Sequence, residues 1–194
     1  MDARPVTLEG KRIRLEPMSA DHLDALTEAG AHEELWKWTG AKATTRQTMQ
    51  DYMSVALKDA EAGRAVPFVT VEKASGRVIG STRFANIDHE NRRVEIGWTW
   101  IVPEFQRTFV NSEAKYVMMR HAFEVWNCVR VELKTDVLNS KSRTAMLRLG
   151  AREEGVLRKH TITYAGRWRD TIYYSVLDKE WPEVKRRLEE FLAR

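Results

Sequence analysis

Alternating and helical patterns of hydrophobic residues divide the first half of the chain into two helices and four strands. Arg12–Glu16 alternates as RIRLE, and Ser19 suits the N-cap of a helix from Ala20 to about Ala31. A second helix is predicted over Thr45–Ala62, ended by Gly63. Three strand-like runs separated by short polar turns then predict antiparallel neighbours: Val66–Glu72, Val78–Asn86 and Arg92–Val102.

The second half of the chain alternates between helix and strand patterns. Apolar residues at helical spacing predict a helix over Ser112–Trp126, directly after the third of those strands. The remaining predicted elements are a strand at Val129–Asp136, a helix at Ser140–Leu149, strands near Ile162–Tyr164 and Asp170–Val176, and a helix at Pro182–Ala193. Val94–Asp136 is the one strand–helix–strand crossover. The order predicts a mixed α/β fold with a mostly antiparallel central sheet and helices on both faces.

Composition places the chain among ordinary globular proteins. A length of 194 residues, 43% hydrophobic and 31% charged, predicts a single domain over 1–194. There is no apolar run of membrane-spanning length and no signal-peptide pattern at the start, so we expect a cytoplasmic protein. The single cysteine, Cys128, has apolar neighbours and is expected to be a buried thiol.

The distribution of charge and histidine excludes two function classes. The net charge of +4 is small and acids accompany most basic clusters, so nucleic-acid binding is not expected, although Trp168 lies between two arginines. An edge that receives an anionic cofactor fits these charges better. The five histidines lack metal-ligand spacing, and His121 is expected to be a satisfied core residue. No metal is predicted.

The loop Pro103–Lys115 (PEFQRTFVNSEAK) connects a strand to the start of a helix. Such a turn presents unpaired backbone N–H groups and the positive end of a helix dipole. These features predict a site for the phosphates of a nucleotide-like cofactor.

Several segments, in order, resemble the Gcn5-related N-acetyltransferases (GNAT), in their RimJ/RimL-like branch. They are TLEGKRIRLEPM, EIGW, RTFVNSEAK with RHAFE, NSKSRTAMLRLGAREEGVLR and GRWRDTIYYSVLDKEW, spread from about Val6 to Trp181. The resemblance implies a GNAT-like fold and a transferase that uses acetyl-CoA as co-substrate. The implied acceptor is a primary amine of a protein N-terminus, an amino acid or a small molecule.

The resemblance assigns the loop to the pyrophosphate of CoA, bound through backbone N–H groups. The corresponding residues are Gln106, Arg107, Thr108, Phe109, Val110, Asn111 and Ser112. Phe109 departs from the family pattern, because it occupies the first glycine position. Positive φ there would strain the backbone by roughly 1–2 kcal/mol, and the ring could cover the phosphates. The alternative is ordinary backbone angles, with the ring in solvent or near the adenine.

Glu95 is the candidate general base, because related enzymes often use a carboxylate on this strand. Simple alternation would place Glu95, Gly97 and Thr99 on one face and Trp98 with Trp100 on the other. Two alternatives compete with this role. In the first, Glu95 is a solvated strand residue; in the second, it is a partner for Arg83.

Asn139 and Ser142 fit the N-x-x-S element of the branch. The resemblance implies that Asn139 binds the pantetheine amide and that Ser142 hydrogen-bonds the sulfur of the leaving thiolate. Many relatives outside the branch have a tyrosine acid where this chain has Leu147, which makes Ser142 the best candidate. Its alternative is a structural serine at a helix start.

The acceptor wall is expected to include four residues: Trp36, Trp38, Asp170 and Tyr173. The alternative for the tryptophans is the hydrophobic core. Exposed strands and tryptophans also make a homodimer plausible. Two further functions compete with acetyl transfer: a non-catalytic or weakly CoA-binding module with the GNAT fold, and an acyltransferase for a bulkier or anionic acyl donor.

Overall fold

A computed structural model describes all residues from 1 to 194 and contains one eight-stranded sheet. In sheet order the strands are β1 (Leu8–Glu9), β2 (Ile13–Pro17), β3 (Val66–Glu72), β4 (Val78–Asp88), β5 (Arg93–Ile101), β6 (Arg130–Asp136), β8 (Trp168–Leu177) and β7 (Arg152–Ile162). All neighbouring strands are antiparallel except β5 and β6, which confirms the single crossover.

Five α-helices cover the two faces of the sheet: α1 (Leu23–Gly30), α2 (Arg46–Glu61), α3 (Val110–Arg120), α4 (Ser140–Leu149) and α5 (Trp181–Ala193). The first two pack on one face, and α3, α4 and α5 pack on the other. Adjacent residues of β4 show the division, because Arg83 lies on Tyr52 of α2 whereas Thr82 contacts Met118 of α3. None of the helices combines the length and apolarity needed to span a membrane.

Most sequence-based boundaries are confirmed to within two residues, and the largest error concerns β7. Its eleven residues, Arg152–Ile162, are all exposed at the edge of the sheet, so they carry no alternating pattern. The predicted strand at Ile162–Tyr164 is therefore wrong. Ile162 ends β7, and the residues after it form a turn in which Gly166 N–H donates to Thr163 O at 2.9 Å.

The helix predicted over Ser112–Trp126 changes its winding before it ends. Regular α-helix runs over Val110–Arg120, and His121–Val125 form a π-helical turn in which Trp126 N–H donates to His121 O. His121 lies among the rings of Phe84 and Trp126, as expected of a core residue. Its Nε2 has no hydrogen-bond partner, so the expectation of a satisfied histidine is wrong, and burial lowers its pKa.

Candidate active site

A cleft opens in the middle of the sheet where β5 and β6 separate. The parallel register pairs Arg93–Glu95 with Arg130–Glu132 and ends there. Beyond that point β6 stays paired with β8 as far as Asp136, while residues 97–101 of β5 stay paired with β4. The facing edges of the two strands therefore leave a wedge whose narrow end is at Glu95 and whose wide end faces the start of α3.

A bulge in β5 changes which side chains face this cleft. Trp98 has a left-handed backbone (φ 50°), and the register with β4 shifts beside it. Trp98 therefore shares a face with Arg83, whereas Thr99 lies on the opposite face, where it receives a hydrogen bond from Lys115. The alternation predicted from the sequence is wrong beyond Gly97.

Glu95 is buried at the narrow end of the cleft and held by two donors. Asn86 Nδ2 donates to its Oε2 at 2.7 Å, and Lys134 Nζ lies 2.8 Å from the same oxygen. With 2% exposure Glu95 is not a solvated residue, and its ionic partner is Lys134 rather than Arg83. Both alternatives from the sequence are therefore wrong.

The second oxygen of Glu95 accepts no hydrogen bond from the protein. A methyl group placed on Gly97 would lie 2.8 Å from Oε1, so this oxygen sits directly over the glycine, where the strands begin to separate. The carboxylate thus has one oxygen fixed by donors and one presented at the cleft. Such an arrangement suits a group that accepts a proton from a bound molecule.

Phe109 precedes α3 with an ordinary right-handed backbone (φ −66°, ψ −23°). The strain expected at the missing glycine is therefore absent. The left-handed residue of the loop is Arg107, with φ 61°. The Phe109 ring packs against the core, with the Arg12 guanidinium 3.9 Å from its centroid. The ordinary backbone angles of the alternative are therefore confirmed, its placement of the ring in solvent is wrong, and a position near the adenine stays a prediction.

The first turn of α3 leaves two backbone donors free. Thr108 Oγ1 accepts from Val110 N–H at 3.3 Å, and Glu113 N–H donates to Phe109 O. The N–H groups of Asn111 and Ser112 have no acceptor, as expected at a helix start. Gln106 is turned away from them, because its Nε2 donates to Ile101 O at the end of β5.

Positive charge surrounds the same helix start. A cavity of about 300 Å³ lies between α3, α4 and α5, and its lining includes Ser112, Arg148, Arg187 and Arg194, with Glu190 as the one acid. Free amides, a helix dipole and guanidinium groups together favour a phosphate-bearing ligand.

Asn139 and Ser142 are brought together at the start of α4. Asn139 Oδ1 accepts from Ser142 N–H at 3.2 Å, so Asn139 is the N-cap of the helix. Both residues are half-buried and follow the end of β6, at the wide part of the wedge. The carboxamide N–H₂ of Asn139 and the hydroxyl of Ser142 make no hydrogen bond with the protein.

The four residues predicted for the acceptor wall occupy different surroundings. Trp36 is fully buried against Tyr52 and Trp100, so it belongs to the core, as its alternative proposed. Trp38 is half-buried beside Arg167. Tyr173 faces the cleft, with Lys134 Nζ 5.6 Å from its ring centroid. Asp170 instead accepts the backbone N–H of Lys159 in β7 at 2.7 Å.

Two lysines next to β5, one on each face of the sheet, carry no signal in the sequence. Lys134 lies on β6 and reaches Glu95 only because the parallel strands are adjacent. Lys115 is buried under the bulge of β5, where its Nζ donates to Thr99 Oγ1 at 2.6 Å. No carboxylate accompanies it, and burial lowers its pKa to about 7. No group of His, Cys, Asp and Glu side chains that could hold a metal ion is present.

Comparison with known proteins identifies the family. A sequence profile described as "Acetyltransferase (GNAT) domain" matches residues 12–152. The chain therefore belongs to the GNAT acetyltransferases. The "Uncharacterized N-acetyltransferase p20" of Bacillus licheniformis is 28% identical over 90% of this chain and 98% of its own.

Another relative carries a more specific name over a shorter match. The "Putative ribosomal N-acetyltransferase YdaF" of Bacillus subtilis (strain 168) is 36% identical over 57% of this chain. The matched segment covers 59% of the relative's own length. Among solved structures, a GCN5-related N-acetyltransferase from Brucella melitensis has a TM-score of 0.90 and 32% identity, covering 97% of this chain and 86% of its own.

Structural similarity extends to the branch that the sequence resembles. Mycobacterium smegmatis RimJ in complex with CoA-disulfide has a TM-score of 0.85, covering 97% of this chain and 96% of its own. At 22% identity, this TM-score establishes a shared fold alone. Both the GNAT family and the mixed, mostly antiparallel sheet predicted from the sequence are thus confirmed.

Proposed function

We propose that this GNAT protein moves an acetyl group from acetyl-CoA directly to a primary amine. The observation that carries the proposal is the position of Glu95, whose free oxygen lies where β5 and β6 separate. The wide end of the same cleft leads to the free amides of α3. A thioester ligand in the cleft would therefore be held between a phosphate site and a base.

The residues at the wide end fit the polar parts of the co-substrate. The free N–H groups of Asn111 and Ser112 would bind the pyrophosphate, with Arg148 and Arg187 adding positive charge. The carboxamide of Asn139 would bind the amide groups of the pantetheine arm. The co-substrate supplies an activated acyl group, and the chain supplies orientation and proton transfer.

In this proposal Glu95 accepts the proton of the attacking amine, directly or through a water molecule. Lys134 and Asn86 hold Oε2, so Oε1 keeps a fixed direction while it takes the proton. Ser142, the first-turn serine of α4, would donate to the sulfur of the leaving thiolate. Direct transfer requires no covalent enzyme intermediate.

The acceptor is proposed to be a protein N-terminus, an amino acid or a small amine. The name of the Bacillus subtilis relative, a putative ribosomal N-acetyltransferase, supports a ribosomal protein among these. A purely CoA-binding module is the weaker alternative, because the ordinary backbone of Phe109 removes the main sequence argument for a damaged loop.

Calorimetric titration with acetyl-CoA tests the first step, and thiol release with a panel of amines tests the second. We expect binding in the micromolar range and amine-dependent release of CoA. Glu95→Gln should keep the affinity for acetyl-CoA and reduce kcat by about 10²-fold or more, since the amide cannot accept the proton. Failure of acetyl-CoA to bind at millimolar concentration contradicts the proposal.

A further inference from the structure

Arg83 is a buried arginine without an anionic partner. Its side chain is on β4 with 2% of the residue exposed, and its guanidinium makes no salt bridge and no hydrogen bond. A buried charge of this kind is costly unless something pairs with it. The arginine is thus either a defect of the core or half of a binding site.

Aromatic rings fix the guanidinium from two sides and leave its donors free. Its Cζ atom lies 5.1 Å from the ring centroid of Tyr52 and 4.9 Å from that of Trp98. Rings placed in this way favour a cation but accept none of its in-plane N–H groups. The five N–H donors of the guanidinium therefore have no acceptor in the protein, and their planar arrangement is one that a carboxylate matches.

Arg83 lies next to the proposed base. The antiparallel register places its Cα opposite that of Gly97, the glycine under Glu95 Oε1. Opposite residues of paired strands are about 5 Å apart, so a small molecule can contact the side chains of Arg83 and Glu95 at once. The Trp98 ring between Arg83 and Lys134 closes one side of this space.

The charges of the cleft do not balance without a ligand. Lys134 pairs with Glu95 and Arg167 pairs with Asp136, which leaves Arg83 and Arg169 without a carboxylate. Arg169 lies four residues before Tyr173 on β8, on the same face, and its Nε is also buried without an acceptor. Its Nη1 donates only to the carbonyl of Trp38.

We propose that Arg83 binds a carboxylate of the acceptor, so that the preferred substrates carry an acid group within a few bonds of the reacting amine. This inference rests on the proposed acetyl transfer and makes its acceptor more specific. Two sources share the chemistry: the α-carboxylate of a free amino acid, and an acidic side chain at the N-terminus of a peptide. Arg169 supplies a second positive charge on the far side of the cleft.

Binding of acid and amide pairs tests the inference without catalysis. Calorimetry compares alanine with alaninamide, and an Asp-Ala-Ala peptide amide with its Asn-Ala-Ala counterpart, in wild type, Arg83→Met and Arg83→Lys. Arg93→Met is the control, because Arg93 is exposed and already paired with Asp88 and Glu132. At position 83 methionine fills a similar volume and removes no ion pair, so Arg83→Met should fold.

We expect the wild type to bind the acid of at least one pair about tenfold more tightly than the amide. The pair that shows this preference identifies the source of the carboxylate. Arg83→Met should abolish the preference, Arg83→Lys should retain part of it, and Arg93→Met should leave it unchanged. Equal binding of acid and amide in the wild type, or a preference that survives in Arg83→Met, overturns the inference.

The same acceptors in the thiol-release assay separate this inference from the proposed function. Transfer to amides and acids at equal rates in wild type and Arg83→Met leaves the acetyltransferase standing and removes the carboxylate site. A carboxylate preference in binding that depends on Arg83, without transfer to any amine, leaves the anion site standing and removes the proposed reaction.

Discussion

At the scale of single residues, the site depends on the different surroundings of the two carboxylate oxygens of Glu95. Lys134 and Asn86 both contact Oε2, and Gly97 leaves room for Oε1. The carboxylate is therefore oriented by three different strands: β4 through Asn86, β5 through Gly97 and β6 through Lys134. A change in any of these neighbours should alter the proposed proton transfer more than the fold.

Gly97→Ala tests this arrangement directly. The added methyl would lie 2.8 Å from Oε1, so the carboxylate must turn away from the cleft. We expect kcat to fall by about 10- to 100-fold, because misplacement of a catalytic group by about 1 Å has effects of this size. Chemical denaturation should show a loss below about 1 kcal/mol, since a terminal side-chain oxygen can move.

Gly40→Ala is a matched control for the same substitution. A methyl group at Gly40 would meet only the carbonyl of Ile162, at an ordinary 3.7 Å. This variant should keep both activity and stability. A Gly97→Ala protein with wild-type kcat would show that the position of Oε1 is unimportant for the reaction.

The sequence predicts Glu95 as the proposed base but does not predict its surroundings. Glu95 follows from its strand and the family resemblance. Its partners Lys134 and Asn86 lie 39 and 9 residues away along the chain and become neighbours only through strand pairing. The bulge at Trp98 has no signal either, because tryptophan is not a residue that favours a left-handed backbone.

At the scale of elements, the start of α3 determines whether the loop can hold phosphates. The family pattern predicts strain from a left-handed backbone at Phe109, but the left-handed residue of the loop is Arg107. Phe109 then has a packing function, between Arg12 and the core. The family glycine is replaced here without a left-handed phenylalanine.

Phe109→Gly should therefore destabilise the protein without improving the loop. Loss of the half-buried ring and its contact with Arg12, together with glycine at a helix start, should cost about 2 kcal/mol of unfolding free energy. The affinity for acetyl-CoA, measured by calorimetry, should change by less than about threefold. Phe109→Leu is the control, because it keeps most of the apolar volume. A large gain in affinity for Phe109→Gly would show that the native ring obstructs the phosphates.

Asn111→Asp should have opposite effects on stability and on binding. A carboxylate in the first turn of α3 interacts favourably with the helix dipole, by about 0.3–1 kcal/mol. The same charge repels phosphate groups at the free amides, so the affinity for acetyl-CoA should fall by about tenfold or more. Asn111→Ala removes the side chain without adding charge and should bind nearly as well as wild type. Unchanged binding by Asn111→Asp would place the phosphates elsewhere.

Elements with a buried face could be predicted well, whereas those without one could not. The sequence-based boundaries of β3 and α4 match the structure at both ends. The edge strand β7 has no buried residue, and the two-residue β1 is too short to show a pattern. The π-helical turn after Arg120 was also beyond prediction, since its residues keep helical spacing.

At the scale of the whole molecule, the two faces of the sheet carry different groups. The face of α1 and α2 holds the charged cleft, with Glu95, Lys134 and the unpaired Arg83. The opposite face holds most of the apolar core, but it also contains Lys115 at 4% exposure without an acid. The bulge of β5 connects the faces, because Trp98 borders the cleft and Thr99 accepts from Lys115. The expected homodimer stays a prediction, and the exposed edge strand β7 is a surface at which it could form.

The buried Lys115 should give the global stability a distinctive pH dependence. Burial lowers its folded-state pKa to about 7, whereas the unfolded chain has a value of about 10.4. Between these values the unfolded state binds more protons, so the unfolding free energy should rise with pH, by up to about 1.4 kcal/mol per pH unit. Above the unfolded-state pKa, burial of the neutral amine does not reduce the unfolding free energy through this linkage. The stability present there is lost progressively as the pH falls to about 7.

Lys115→Met removes the titrating group and keeps the side chain's length, so the difference between the two proteins isolates the lysine. Urea denaturation at pH 6, 7, 8 and 9 should show the variant more stable than wild type at pH 6, with the wild type gaining steadily above pH 7. The Cys128 thiol, whose pKa burial raises to about 11, is common to both proteins and cancels in this difference. Lys37→Met, at an exposed position, should instead follow the wild-type curve at every pH. Parallel curves for wild type and Lys115→Met would mean that Lys115 keeps its charge in the folded protein, with water or another group compensating it.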